Sequence, residues 1–173
     1  MRIAWCITGA EMFLYEVVNI IKNLGSDKVD IFLSRSAKEI LSRYKLLEQL
    51  MDFKVYEDTE TNVFQVIKLF TGRYDFIVIA PCTTNTIAKM VHGISDNLVT
   101  NIFSQGGKLR MPIYILPSDI KEIMEFTTKS GKNHILYMRA IDMENLKKLQ
   151  NFEGVRILHS IQELKNILRE NLP

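Results

Sequence analysis

Cysteine and histidine are scarce in this chain, with two of the first and three of the second in 173 residues. Cys6 and Cys82 stand far apart and outside any Cys-x-x-Cys pair, so a disulfide framework is not expected. Two thiols also cannot supply a cluster that needs four cysteine ligands within one chain. His92, His134 and His159 lack the close spacing of zinc ligands. No apolar stretch reaches the ~18 residues that span a bilayer. No run of like charge exceeds a pair or so, and the formal charge is only +2, which removes basic-tail and nucleic-acid readings. The first residues read directly as a strand, without a charged leader, apolar segment and cleavage site. The expectation is a cytoplasmic globular protein with neither a membrane nor a nucleic-acid partner.

What is present is a regular alternation. Hydrophobic residues make up 47% of the chain and charged residues 24%, enough apolar material for one compact domain with a real core. "RIAWCI" (2–7), "VDIFLS" (29–34), "FKVYE" (53–57), "FIVIA" (76–80), "IYIL" (113–116), "HILYM" (134–138) and "VRIL" (155–158) read as strands. Between them lie segments of helical period. Met12, Phe13, Val17, Ile20, Ile21 and Leu24 mark the first, which Gly25 stops. Ser36 with Glu39, and Ser160 with Glu163, have the spacing of capping boxes. Helices are also expected over 62–70, near 85–92 and 96–105, and after Asp142. Continuous apolar strands alternating with helices predict a doubly wound α/β fold, a single Rossmann-like (flavodoxin-like) three-layer domain over 1–173 with a mainly parallel sheet. Such folds bind ligands at the carboxyl ends of their strands.

Three of those strand ends look chemically equipped. Thr8-Gly9-Ala10 forms a small-residue turn before a helix, where backbone N–H groups and the helix dipole favour an anion. The spacing is not G-x-G-x-x-G, so one phosphate fits better than a dinucleotide's pyrophosphate; the plain alternative is a tight turn at Gly9. Ser34-Arg35-Ser36 follows the second strand, with Ser36 the expected cap and Ser34 or Arg35 free to reach the same anion. The third is Pro81-Cys82-Thr83-Thr84-Asn85-Thr86. Four hydroxyl and amide groups in succession exceed what a helix cap requires, and they suit a flat heterocycle with donor and acceptor edges. Cys82 reads as a small packed side chain, Trp5 as core, and Lys89 and His92 as solvated; Asp96 is expected to cap the next helix.

"PCTTNT" followed by "IAKMVHGISDNLVTN" resembles the P-A-S-A-N-T motif and the A-K-x-x-x-G-I-A-D-N-L segment of flavoproteins related to phosphopantothenoylcysteine decarboxylase. The T-G-A turn after the first strand and the apolar pattern through about residue 117 agree with it. The resemblance implies FMN bound by a Rossmann-like domain near a subunit interface of a homo-oligomer, usually trimer-based, with a dimer also conceivable. It places the small polar groups of 81–86, with Asp96 and Asn97, around a flavin.

Two departures narrow what the resemblance implies. The decarboxylases carry a catalytic histidine at a place that falls near Ile67 and Lys68, and no histidine occurs between residues 1 and 91. Their P-x-M-N-x-x-M turn is replaced by "LPSDIKE", with Ser118 and Asp119. Cysteine decarboxylation is therefore not expected. "MRIAWCITGA", "KVYE", "GRYDFIVIAP" and "FEGVRIL" resemble the archaeal members of this superfamily. Those are archaeoflavoproteins, which accept electrons from ferredoxin, and dihydromethanopterin reductases, which reduce a pterin through FMN. The implied activity is redox: electrons from ferredoxin or a similar donor pass through FMN to an acceptor, with a pterin as the possible substrate and a non-redox nucleotide-binding module as the remaining alternative.

Overall fold

Every residue of β1 (Ile3–Ile7) and of β2 (Val29–Leu33) is buried, so neither strand alternates between core and solvent. Both faces of the sheet that contains them must be covered. In the computed structural model, which describes residues 1–59, 63–127 and 131–172, that is the arrangement. After β1 and β2, with α1 (Leu14–Leu24) between them, come α2 (Arg35–Arg43), a 3₁₀ turn at Leu47–Leu50, β3 (Lys54–Glu57), α3 (Val63–Phe70), β4 (Phe76–Cys82), α4 (Thr84–Val91) and α5 (Leu98–Lys108). They are followed by β5 (Ile113–Pro117), β6 (Ile123–Thr127), β7 (Asn133–Tyr137), α6 (Ala140–Leu149), β8 (Val155–Ile157) and α7 (Ile161–Asn171).

Six strands form one sheet in the order β3-β2-β1-β4-β5-β8, and all neighbours run parallel. Successive side chains of a strand point to opposite faces, and β1 shows it directly. Ile3, Trp5 and Ile7 join a core with α1, α2 and α7, whereas Ala4 and Cys6 join a second core with α4 and α5. The winding reverses between β1 and β4, which puts the ligand crevice of such a sheet outside the carboxyl ends of these strands.

Several boundaries differ from the sequence expectation. Phe13 adopts φ 64°, a left-handed conformation, so α1 begins at Leu14 and excludes Met12 and Phe13. Ser34, not Ser36, caps α2 by accepting from the Ala37 N–H at 3.2 Å. The same hydroxyl chemistry two residues apart made the spacing ambiguous. Asn97, not Asp96, caps α5, in a reciprocal box with Thr100. Ser160 does cap α7, and Glu163 reaches back to the His159 N–H at 2.9 Å. α6 starts ahead of Asp142, which pairs with Arg139 at 2.7 Å in the first turn. The helix expected over 62–70 is seen from Val63, residue 62 lying outside the described part.

The largest difference is "HILYM". It does not enter the main sheet; as β7 it pairs antiparallel with β6, which had no counterpart in the sequence reading. Ile123, Ile135 and Tyr137 of this hairpin stay more than half exposed. Apolar composition alone cannot separate a buried strand from an exposed one.

Candidate functional site

The carboxyl ends of β1, β2 and β4 sit side by side, and their loops are tied together. The Thr8 N–H and hydroxyl both donate to the Pro81 carbonyl (3.1 and 2.9 Å), and the Thr8 hydroxyl accepts from the Thr83 N–H at 2.8 Å. The Ser34 N–H donates to Ile7 O at 3.1 Å. A cleft of about 500 Å³ opens where these loops meet. Thr8, Gly9, Ser34, Arg35, Ser36, Thr83, Asn85 and Thr86 border it, so two thirds of the residues singled out from sequence share one cavity. Ala10, Pro81 and Cys82 are buried, and Thr84 is half-buried away from the cleft.

Gly9 owes its identity to this crowding. A Cβ there would lie 2.5 Å from Ser36 Cβ and 3.2 Å from the Ser36 carbonyl carbon. Only a glycine lets the first turn of α2 lie against the end of β1. Of the three N–H groups in the Thr8–Ala10 turn, two are already committed, since Ala10 donates to Thr8 O at 2.8 Å. That of Gly9 has no acceptor among the described residues.

Three helices begin at this cleft: α2 at Arg35 and Ser36, α4 at Asn85 and Thr86, and α5 behind Asn97. Each presents the positive end of its dipole, although in α5 the Leu98 and Thr100 N–H groups are already met by Asp58 and Asn97. The sequence reading assigned the anion to the helix after Thr8–Ala10. In the structure that helix, α1, contributes no residue to this cleft, because Glu11–Phe13 carry the chain away before it starts. Thr83 Oγ1 caps α4 through the Thr86 N–H at 3.3 Å and contacts Thr86 Oγ1 at 2.9 Å. Arg35, Ser36 and Asn85, by contrast, have no side-chain partner among the described residues, and Asn85 is exposed.

Sequence reasoning did not single out Asp58, and read Lys89 as solvated. Asp58 follows β3 on the same edge and accepts from the Leu98 N–H at 2.9 Å, positioning α5. Its place one strand beyond Ser34 was the available signal. Lys89 pairs with Asp96 at 2.7 Å, and this hydrogen bond holds the Asp96 carboxyl below its ordinary range. Burial raises the Cys82 thiol, and burial with the nearby Cys82 raises Cys6, so neither is a thiolate nucleophile. The donor set is therefore hydroxyl, amide, N–H and cation, with no thiolate or histidine.

A family model described as Flavoprotein matches residues 1–170. The chain belongs to the Flavoprotein family. An uncharacterized protein of Methanocaldococcus jannaschii is 38% identical over 179 residues, covering 99% of this chain and 96% of the relative. A dihydromethanopterin reductase (acceptor) of Methanosarcina mazei is 35% identical over 133 residues, 69% of this chain; the chain spans only 56% of that enzyme's length. Among solved structures, DmrB of Burkholderia xenovorans, a cubic protein cage for redox transfer in complex with FMN, has 35% identity and a TM-score of 0.88. The match covers 99% of this chain and 94% of DmrB.

Proposed function

We propose that this flavoprotein binds FMN in the cleft at the ends of β1, β2 and β4 and works as a redox protein in the cytoplasm. The carrying observation is the convergence of three helix N-termini with the uncommitted groups of Gly9, Arg35 and Ser36. That environment suits one phosphate, and no long glycine fingerprint is present for a second. The donor set fits the group: Asn85 stands beside the phosphate end with an unpartnered amide for the ribityl chain and ring, next to the Thr86 hydroxyl that Thr83 orients. Thr8, Ser34 and Thr83, whose hydroxyls are already engaged, position the loops. Pro81, Cys82 and Thr84 support the loop from behind. Bound FMN supplies the electron chemistry, and the protein supplies its placement and its electrostatic surroundings.

Ferredoxin or a similar protein is the electron donor in this reading, and the likeness to DmrB, a cubic protein cage, supports a homo-oligomer; FMN near a subunit contact is part of the same proposal. Similarity to the dihydromethanopterin reductases supports a pterin as the acceptor. Decarboxylation of a cysteine-ended substrate is not expected, because no histidine stands near Ile67 and Lys68, where the decarboxylases carry one, and "PSD" replaces their methionine–asparagine turn. Purified protein tests the core of this proposal. A flavin absorbance spectrum, with FMN as the extracted cofactor and bleaching on addition of reduced ferredoxin, is the expected result. Protein that takes up no flavin under reconstitution, or that yields FAD, rejects it.

A further inference from the structure

Two cations and two carboxylates border the cofactor cleft: Arg35, Lys89, Asp58 and Asp96. Two of the four are already accounted for. Arg35 stands with Ser36 at the start of α2, where the phosphate is placed, and Asp58 accepts from the Leu98 N–H at 2.9 Å. That leaves Lys89 and Asp96, which pair with each other at 2.7 Å. Lys89 follows Asn85 by four residues, so both lie on one face of α4, about 6 Å apart along its axis. On the flavin reading Asn85 serves the ribityl chain and ring, and Lys89 stands one helical turn beyond it on the same wall.

The pair is held weakly enough to be exchanged. Its side chains are 27% and 50% exposed, and ion pairs so placed contribute little. Asp96 also keeps a second partner if Lys89 leaves, because the Asn97 side-chain N–H donates to it at 3.0 Å. Reduction of a flavin changes what Lys89 stands to gain. Two electrons from the donor and one proton from solvent leave the ring with one added negative charge, spread over N1 and the C2 carbonyl. A cation at that edge favours the reduced state over the oxidised one. We propose that Lys89 sets the flavin's potential: it pairs with Asp96 beside oxidised flavin and turns its ammonium to the N1–C2 edge of reduced flavin. Lys89 stays protonated throughout and Asp96 stays ionised, so the only new charge is the one on the ring. The inference rests on the flavin reading for the cofactor, and it adds the residue that tunes it and the partner that restrains that residue.

The test measures the affinity of the protein for oxidised and for reduced FMN, and the potential of the FMN-loaded protein by dithionite titration against a reference dye. Lys89→Met should weaken reduced FMN roughly ten-fold more than oxidised FMN, the size of one charge-assisted hydrogen bond, and so lower the two-electron potential by about 30 mV. Lys89→Arg keeps the charge and should restore most of that loss. Asp96→Asn releases Lys89 from its restraint and should raise the potential. Lys38→Met removes a cation that pairs with Glu57 outside the cleft, and should change the ratio of the two affinities by less than about three-fold, since exposed charges at a distance are screened. Equal weakening of both oxidation states by Lys89→Met, with riboflavin binding unaffected, would give Lys89 to the phosphate and overturn the proposal. A potential that Lys89→Met leaves unmoved overturns it, as does a Lys38→Met shift of the same size. So does an Asp96→Asn potential that falls or stays, the mark of a pair that only ties α4 to α5. If Lys89→Met does not fold, Lys89→Gln and Asp96→Asn carry the same comparison. Protein that never takes up FMN rejects the flavin reading and this proposal together, whereas flavin bound at an unmoved potential rejects this proposal alone.

Discussion

At the scale of single residues, the polar groups around the cleft divide into those that hold the loops and those that face outward. Thr8, Ser34 and Thr83 have their hydroxyls engaged, whereas Arg35, Ser36 and Asn85 do not. The division separates two readings of Asn85 that sequence alone left open. As a helix cap its loss would lower stability, but the cap of α4 is Thr83. Asn85→Leu should therefore leave thermal stability nearly unchanged and weaken FMN by roughly ten-fold or more, since an unmet polar group at a buried ring edge costs about 1–3 kcal/mol. Reduced flavin, with its extra negative charge, should lose more affinity than oxidised flavin, so the potential should fall. Thr83→Val should show the opposite pattern, about 1 kcal/mol of stability lost with the cap. Flavin titrations, potentiometry and melting curves on both variants test this assignment, and an Asn85→Leu protein with unchanged affinity and potential would refute it.

At the scale of elements, the two ends of the sheet are built for different purposes. The carboxyl end depends on close approach: Gly9→Ala would press a methyl group against the Cβ and the backbone of Ser36. Overpacking of this kind costs typically 1–3 kcal/mol. Because the displaced piece is the first turn of α2, weaker FMN binding should accompany the lower melting temperature, and stability lost at full FMN affinity would count against a phosphate there. The amino end is held by charge. Asp30 of β2 is fully buried and ion-pairs with Arg2 ahead of β1 and with Arg73 (3.1 Å) ahead of β4; the Tyr74 hydroxyl donates to it at 2.7 Å. Burial alone would raise the Asp30 carboxyl, but the hydrogen bonds from Arg2 and Tyr74 and the two arginine charges outweigh it, and the net shift is downward. The folded value thus lies below the unfolded value of about 3.9. The stability it contributes is complete above that pH and is lost as pH falls through the folded value. Asp30→Asn should cost roughly 3 kcal/mol or more at neutral pH by stranding the arginines, and should flatten the acid limb of a stability–pH curve. An unaltered acid limb would show that another carboxylate sets it.

At the scale of the whole molecule, the sheet and the cleft that most of the singled-out residues share were legible because each rests on a local signal. Strands 2–7, 29–34 and 76–80 read as unbroken apolar runs, and a parallel sheet buried on both faces requires that pattern. The polar run Thr83–Thr86 stood at a strand end, where such folds place ligands. What was not legible depends on non-local geometry. That α2, α4 and α5 all begin at one cleft, and that Asp58 borders it, follows from the strand order and not from any spacing along the chain. The hairpin of β6 and β7 was hidden for the opposite reason, because "HILYM" has the composition of a core strand yet stays exposed. A site assembled from several separate elements predicts a global response to its ligand. On the proposed placement FMN binds the folded cleft and not the unfolded chain, and it should stabilise by RT ln(1 + [FMN]/Kd), about 2.7 kcal/mol at a hundred times Kd. For a chain of this size each kcal/mol raises the melting temperature by about 2–4 °C, so a rise of roughly 5–10 °C is expected. Inorganic phosphate, which meets only the helix N-termini, should raise it less and compete with FMN. FAD should give little, since its second phosphate and adenosine have no glycine-rich turn to receive them. Melting curves against increasing FMN, FAD and phosphate read this directly, and equal stabilisation by FAD, or none by FMN, would remove the single-phosphate cleft as the cofactor site.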